Sequence, residues 1–86
     1  MSDIDNITGR QIAAGRALAR MEQSELAARA NISVATLRRM EASEGPAAGL
    51  INNVGAIRRA LEAAGVIFVP ENGEGPGVRL KKLRTE

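Results

Sequence analysis

Apolar residues in the first two thirds of the chain lie three and four positions apart, the spacing of side chains that share one face of a helix. This spacing predicts helices over about 8–20, 23–30, 33–41 and 53–64. A single helical turn predicted over 47–51 brings the number of helices to about five. Their apolar faces carry Ile12, Leu26, Ala27, Ala30, Leu37, Met40, Val54, Ile57 and Leu61. The chain is therefore expected to be mainly α-helical.

Residues with strong terminal preferences mark the ends of the first and last helices. Thr8 and Gln11 match a capping box, in which each side chain bonds the backbone of the other. Asn52 or Asn53 is expected to cap the last helix, and Gly65 to end it.

Residues 23–41 read as two short helices joined by a tight turn. Asn31 tolerates the left-handed conformation that a reversal needs, and the Ser33 hydroxyl can cap the second helix. Ala27 leaves room for the helices to cross closely, and Gly45 suits the end of the second helix. This arrangement predicts a helix-turn-helix, whose second helix lies in the major groove of DNA.

After residue 65 the pattern changes to that of strands. Residues 66–70 are β-branched or aromatic before Pro70, residues 71–77 are rich in glycine, and residues 78–83 alternate. We expect an antiparallel β-hairpin, which is marginal in water unless it packs on something. Because the first strand is apolar on both faces, we expect it to contact the core and also to form a dimer interface through Val66, Ile67, Phe68 and Val69.

The 86 residues suffice for one small domain with a modest core. We divide the chain into a disordered polar leader (1–7), a helical domain (8–64) and a segment with the hairpin and a basic tail (65–86), the expected dimerisation element. The core is built from small aliphatic residues, so we expect marginal stability alone and association with a second copy.

Composition narrows the classes of function. The chain has no cysteine and no histidine, which excludes disulfides, zinc sites built on thiolate or imidazole, and nucleophiles paired with histidine. We expect no enzymatic activity and no cofactor. The apolar runs are too short to span a bilayer and the first six residues are acidic, so we expect no membrane contact and a cytoplasmic location.

Positive charge is clustered although the net charge is only +2. Six arginines lie between Arg10 and Arg39, four basic residues lie within 79–84, and the pI is about 9.9. Such clusters suit a polyanionic partner, and solvated helix faces explain them equally well. For Arg58, Arg59 and Glu62 we favour a solvated face.

Residues 11–27, QIAAGRALARMEQSELA, and 30–41, ANISVATLRRME, resemble the xenobiotic-response-element (XRE) family of helix-turn-helix regulators, relatives of the lambdoid phage repressors. The resemblance covers about 8–64, and the tail 67–80, IFVPENGEGPGVRL, resembles the ending of short bacterial members. It implies a lambda-repressor-like bundle and a DNA-binding transcriptional regulator, most simply a repressor that binds a palindromic operator as a homodimer. No small-molecule effector is implied. The alternative is a protein-interaction module, such as an antitoxin or an accessory subunit.

The resemblance also implies roles for individual residues. Base reading falls to Val34, Ala35, Arg38 and Arg39, with Arg39 the strongest candidate because its guanidinium can donate two bonds to guanine. Phosphate binding falls to Gln23, Ser24, Ser33, Thr36 and Ser43. A structural ion pair joins Arg16 and Glu41. Two alternatives stay open, since Val34 also fits a core position and Arg38 also fits a phosphate contact.

Three positions depart from the family pattern. Glu22 replaces the usual Ser or Thr cap and sets a negative charge near the phosphates. Gly15 replaces a common Leu, which is expected to lower stability, and Asn31 replaces the usual Gly at the turn.

Overall fold

The computed structural model describes residues 7–43 and 51–82. There the chain forms four helices and then two strands: α1 (Gly9–Ala19), α2 (Gln23–Ala30), α3 (Val34–Glu41), α4 (Ile51–Ala63), β1 (Val66–Val69) and β2 (Gly77–Leu80). The expected mainly helical class with a small antiparallel hairpin is confirmed. The predicted turn at 47–51 falls almost wholly outside the described residues, and so does Gly45. None of the described helices is long and apolar enough to cross a membrane.

The ends of α1 follow its sequence closely. Thr8 Oγ1 accepts a hydrogen bond from the Gln11 amide at 3.0 Å, and Gln11 Oε1 accepts one from the Thr8 amide at 2.9 Å. The predicted capping box is therefore confirmed. At the other end Arg20 takes a left-handed conformation with φ 55°, and its amide bonds back to α1.

A turn over residues 31–33 joins α2 to α3. Asn31 is left-handed with φ 60°, as expected of a residue that reverses the chain. Ser33 Oγ accepts a hydrogen bond from the Thr36 amide at 3.0 Å and so caps α3. Glu22 precedes α2 without a side-chain capping bond, so α2 starts with its amides uncapped by that residue.

The start of α4 differs from the prediction. Asn52 and Asn53 both lie within the helix, which already includes Ile51, so the prediction that one of them is the cap is wrong. The cost of Asn inside a helix is only a few tenths of a kcal/mol relative to other polar residues, ~0.5 at most, which the burial of an apolar stripe easily exceeds. Gly65 ends the segment with φ 101°, as predicted.

The core lies between the four described helices and the inner face of the hairpin. Its buried apolar residues are Ile7, Ile12, Met21, Leu26, Ala27, Ala30, Leu37, Met40, Val54, Ile57, Leu61, Val66 and Phe68. Ile7 is only 3% exposed, so the predicted polar leader is wrong at this residue, while residues 1–6 lie outside the described residues. An isoleucine beside a helix cap gains more from burial than from solvation.

Two glycines let α1 approach its neighbours closely. A Cβ on Gly9 would lie 2.8 Å from the Glu41 carbonyl oxygen, so the start of α1 rests directly on the end of α3. A Cβ on Gly15 would lie 3.2 Å from Val66 Cγ1 and 3.4 Å from Leu61 Cδ1. Gly15, expected only to lower stability, thus also provides the surface on which the hairpin packs.

The two strands pair antiparallel, with Val66 opposite Leu80 and Phe68 opposite Val78. Val66 and Phe68 are 2% and 8% exposed and face the helices, so their prediction as dimer-interface residues is wrong. Successive residues of a strand point to opposite faces, which leaves Ile67 and Val69 on the outer face. Ile67 is 39% exposed.

Candidate functional site

An ion pair between α1 and α3 lies beside the start of α2. Arg16 Nε donates to Glu41 Oε2 at 2.8 Å and Nη2 donates to Oε1 at 3.1 Å, while Nη1 donates to the Met21 carbonyl oxygen at 3.2 Å. The structure therefore contains the Arg16–Glu41 pair expected from the sequence, and in a two-bond geometry. The hydrogen bond to Glu41 is the main cause of a raised Arg16 pKa.

Glu41 also holds Gln23, the first residue of α2. Gln23 Nε2 donates to Glu41 Oε1 at 3.0 Å, so one carboxylate anchors side chains from α1 and α2. The side chain of Glu41 is only 9% exposed, which strengthens these charge-assisted bonds. The side-chain amide nitrogen carries two hydrogens, so Gln23 Nε2 can donate a second bond to a ligand at the start of α2.

An open groove of about 440 Å³ lies between the start of α2 and the exposed side of α3. The residues that line it are Arg16, Glu22, Gln23, Ser24, Val34 and Arg38. The groove therefore brings together two residues predicted to bind phosphate and two predicted to read bases. The helix N-terminus at Gln23 adds amide hydrogens that favour an anion.

The exposed side of α3 divides the four predicted base-reading residues. Ala35, Arg38 and Arg39 are exposed, whereas Val34 is half-buried and packs against the core. Val34 therefore makes the core contact that the sequence allowed as an alternative to base reading, and it also lines the groove. Arg38 lines the groove and Arg39 does not, which makes Arg38 the better-placed arginine relative to Gln23.

Three of the four hydroxyl groups predicted to bind phosphate already have partners within the chain. Ser33 Oγ donates to Thr36 Oγ1 at 2.8 Å, and Ser43 Oγ donates to the Arg39 carbonyl oxygen at 3.3 Å. Thr36 accepts from Ser33, so its own hydroxyl hydrogen can still point outward. Ser24 is exposed at the rim of the groove.

Glu22 sets a negative charge on the same groove. It is exposed and lines the groove beside Gln23, as its position in the sequence suggested. A carboxylate there repels an anion bound at the start of α2, with an energy that falls as salt screens it. Removing this charge is therefore a way to strengthen anion binding without touching a direct contact.

Two side chains have contacts that sequence reasoning missed. Arg58 lies with its guanidinium 5.3 Å from the centre of the Phe68 ring and also bonds Glu62 at 2.9 Å. It is half-buried, so the predicted solvated face is wrong for Arg58, because a cation gains from the face of an aromatic ring. Gln11, identified only as a helix cap, also bonds the hairpin, and no local signal marks a partner 66 residues away.

Within residues 7–43 and 51–82, no group of three or more acidic, cysteine or histidine side chains gathers as a metal site would. The chain matches no model of a known protein family. No curated protein sequence matches it either.

Proposed function

We propose that the protein is a sequence-specific regulator of transcription, most simply a repressor, that binds double-stranded DNA through α2 and α3. In this proposal the two helices act as a helix-turn-helix within a lambda-repressor-like bundle. The observation that carries it is the groove that joins the start of α2 to the exposed side of α3. The protein would act in the bacterial cytoplasm, without a cofactor or a catalytic role.

Phosphate binding at the start of α2 would set the register on DNA. Gln23 is held by Glu41 at 3.0 Å and stands at the helix N-terminus, where backbone amides and a side-chain amide can meet one phosphate. Ser24, which lines the same groove, would be a secondary phosphate contact, and so would Thr36 and Ser43 on α3 and just after it. Ser33 would contribute through the helix it caps.

Base reading would fall to the exposed side of α3. Arg38 and Arg39 can each donate a pair of bonds to guanine O6 and N7, and Ala35 and the exposed part of Val34 can touch a thymine methyl group. The bond network from Arg16 to Glu41 ties the end of α3 to α1. Held in this way, α3 would enter the major groove of DNA as a rigid body.

A homodimer would place two copies of α3 on successive turns of a palindromic operator, about 34 Å apart. The outer face of β1, with Ile67 39% exposed and Val69 beside it, is the surface we assign to the second copy. Its apolar character suits pairing between two hairpins.

The test begins by selecting a preferred site from a random duplex library with the wild-type protein. We expect Arg38→Ala to lower affinity for the selected site, relative to scrambled DNA, by about tenfold to a hundredfold for each half-site, the cost of one bidentate base contact. Arg59→Ala, which removes an exposed arginine on α4, is the matched control and should change neither affinity by much. Equal losses of affinity on both DNAs would make Arg38 a phosphate contact. Failure to select any preferred site with the wild-type protein would refute the proposed function.

The second candidate is a protein-interaction module, such as an antitoxin or an accessory subunit. The observation that favours it is the exposed Ile67 on a strand that can pair with another chain. Binding to DNA that ignores sequence and barely changes with salt would support this candidate over the first.

A further inference from the structure

A buried amide on α1 fastens both strands of the hairpin. Gln11 is 5% exposed, and its Nε2 donates to the Gly77 carbonyl oxygen at 2.9 Å and to the Val69 carbonyl oxygen at 3.4 Å. Val69 and Gly77 face each other as the last pair of the ladder before the hairpin turn. One side chain therefore ties the turn end of each strand to the same point of α1.

The opposite end of the hairpin rests on the body of the protein as well. Val66 packs where Gly15 of α1 leaves space, while the bond from the Lys81 amide to the Gly65 carbonyl oxygen at 2.6 Å extends the pairing between the two strands. The hairpin is thus fixed at two points, of which the Gln11 contact is polar and directional. Directional bonds restrict rotation in a way that apolar packing does not.

α1 is the element that packs extensively both against the hairpin and against α3. Gln11 fastens it to the hairpin, and Arg16 fastens it to Glu41 at the end of α3. The close approach at Gly9 adds direct contact between the start of α1 and the end of α3. The outer face of the hairpin and α3 therefore share one rigid support.

We infer that α1 sets the orientation of the hairpin relative to α3, and that Gln11 is a positioning residue for the spacing between the two α3 helices of a dimer. This inference rests on the proposed function. A tilt of about 10° acting over about 20 Å moves the far end by roughly 3.5 Å, close to the rise of one base pair. A small change at Gln11 therefore changes which half-site spacing fits.

The decisive variant is Gln11→Glu. A glutamate keeps an oxygen that can accept from the Thr8 amide, but its carboxylate cannot donate to the carbonyl oxygens of Val69 and Gly77. Thr8→Ala is the matched control, because it removes the other half of the capping box and leaves the bonds from Gln11 to the hairpin in place. Gln11→Met, which carries no hydrogen-bond donor, serves if the glutamate variant does not fold.

The first measurement is a distance distribution between spin labels at two exposed positions, Ala42→Cys at the end of α3 and Asn72→Cys in the hairpin turn, diluted with unlabelled chain. The protein has no native cysteine, so labelling is specific. We expect one narrow distance for the wild type and for Thr8→Ala, and a broadened or shifted one for Gln11→Glu and Gln11→Met. An unchanged distribution in both Gln11 variants would overturn the inference.

The second measurement uses operators whose half-sites are separated by a graded number of base pairs. The wild type should prefer one spacing. In Gln11→Glu the ratio of affinities between the preferred and the other spacings should fall about fivefold, the size of one or two lost hydrogen bonds. The affinity for a single half-site should stay the same. A changed distance with an unchanged spacing preference overturns the inference. Absence of any sequence preference in the wild type refutes the proposed function instead, and the spin-label distances then still decide whether Gln11 positions the hairpin.

Discussion

Glu41 organises more of the candidate site than any other described side chain. It accepts two bonds from Arg16 and one from Gln23, and so connects the first three helices at one carboxylate. Its 9% exposure separates it from surface ion pairs such as Glu25 with Arg29, where both side chains are nearly half exposed. Burial with several donors is what makes such a group costly to remove.

Replacing Glu41 with alanine should therefore destabilise the protein. We expect a loss of about 2 kcal/mol in the free energy of unfolding, because Arg16 and Gln23 lose a common partner while Arg16 keeps some access to water. Urea denaturation, read as a lower midpoint at constant slope, measures it. Glu25→Ala is the control, with an expected loss of less than about 0.5 kcal/mol from an exposed pair. Similar losses in both variants would show that Glu41 is an ordinary surface charge.

The stability that the Arg16 charge contributes to this ion pair does not change with pH around neutrality. Its pKa is raised above an already alkaline value, so the stabilising positive charge is present throughout the neutral range. That contribution is lost only as the pH rises through the folded-state pKa, in strong alkali.

Among the elements, α1 depends on glycine for its two closest contacts. At Gly9 the neighbouring atoms are backbone oxygens at the end of α3 and of Ser43 just after it, which cannot move without a shift of the backbone. At Gly15 they are the ends of the Val66 and Leu61 side chains, which can shift by a few tenths of an ångström. The two positions therefore differ in how they tolerate a methyl group.

Gly9→Ala should lower the free energy of unfolding by about 2 kcal/mol or more, because the added carbon overlaps rigid backbone. Gly15→Ala should be nearly neutral, since an alanine gains about 1 kcal/mol of helix propensity that offsets the crowding. Thermal unfolding compares them, with Gly77→Ala as the control at a site that has no atom within 4 Å of the new carbon. A Gly9 variant as stable as the Gly77 variant would contradict the close approach of α1 and α3.

For the whole molecule, the two faces of the hairpin have different partners. The inner face completes the core through Val66 and Phe68, and the ring of Phe68 also receives Arg58. The outer face exposes Ile67, the residue on which the proposed dimer depends. A change on the outer face should therefore affect association more than folding.

Ile67→Lys tests this separation. We expect it to weaken self-association by about tenfold or more, through lost apolar contact and repulsion between two added charges, with little change in unfolding of the monomer. Sedimentation equilibrium measures the association. Leu18→Lys is the control, because Leu18 is equally exposed at 39% but lies on α1. A weakened dimer in the control and an intact one in Ile67→Lys would move the interface to the end of α1.

The local features of this chain follow from its sequence. The capping box at Thr8, the left-handed turn at Asn31, the cap at Ser33 and the stop at Gly65 all involve groups within a few residues of one another. Apolar spacing likewise identified the buried stripes of α2, α3 and α4, because helical periodicity is a property of neighbouring residues. These elements could be predicted since their physical causes are local.

Only the tertiary structure decided which surfaces meet. In the sequence β1 is apolar on both faces, so the pattern does not show which face is buried. Packing against Gly15 and α4 buries Val66 and Phe68 in the core. Gln11 gained its partners on the hairpin, and Arg38 rather than Arg39 came to share a groove with Gln23. Contacts between residues far apart in the chain depend on how whole helices pack, so no short pattern encodes them.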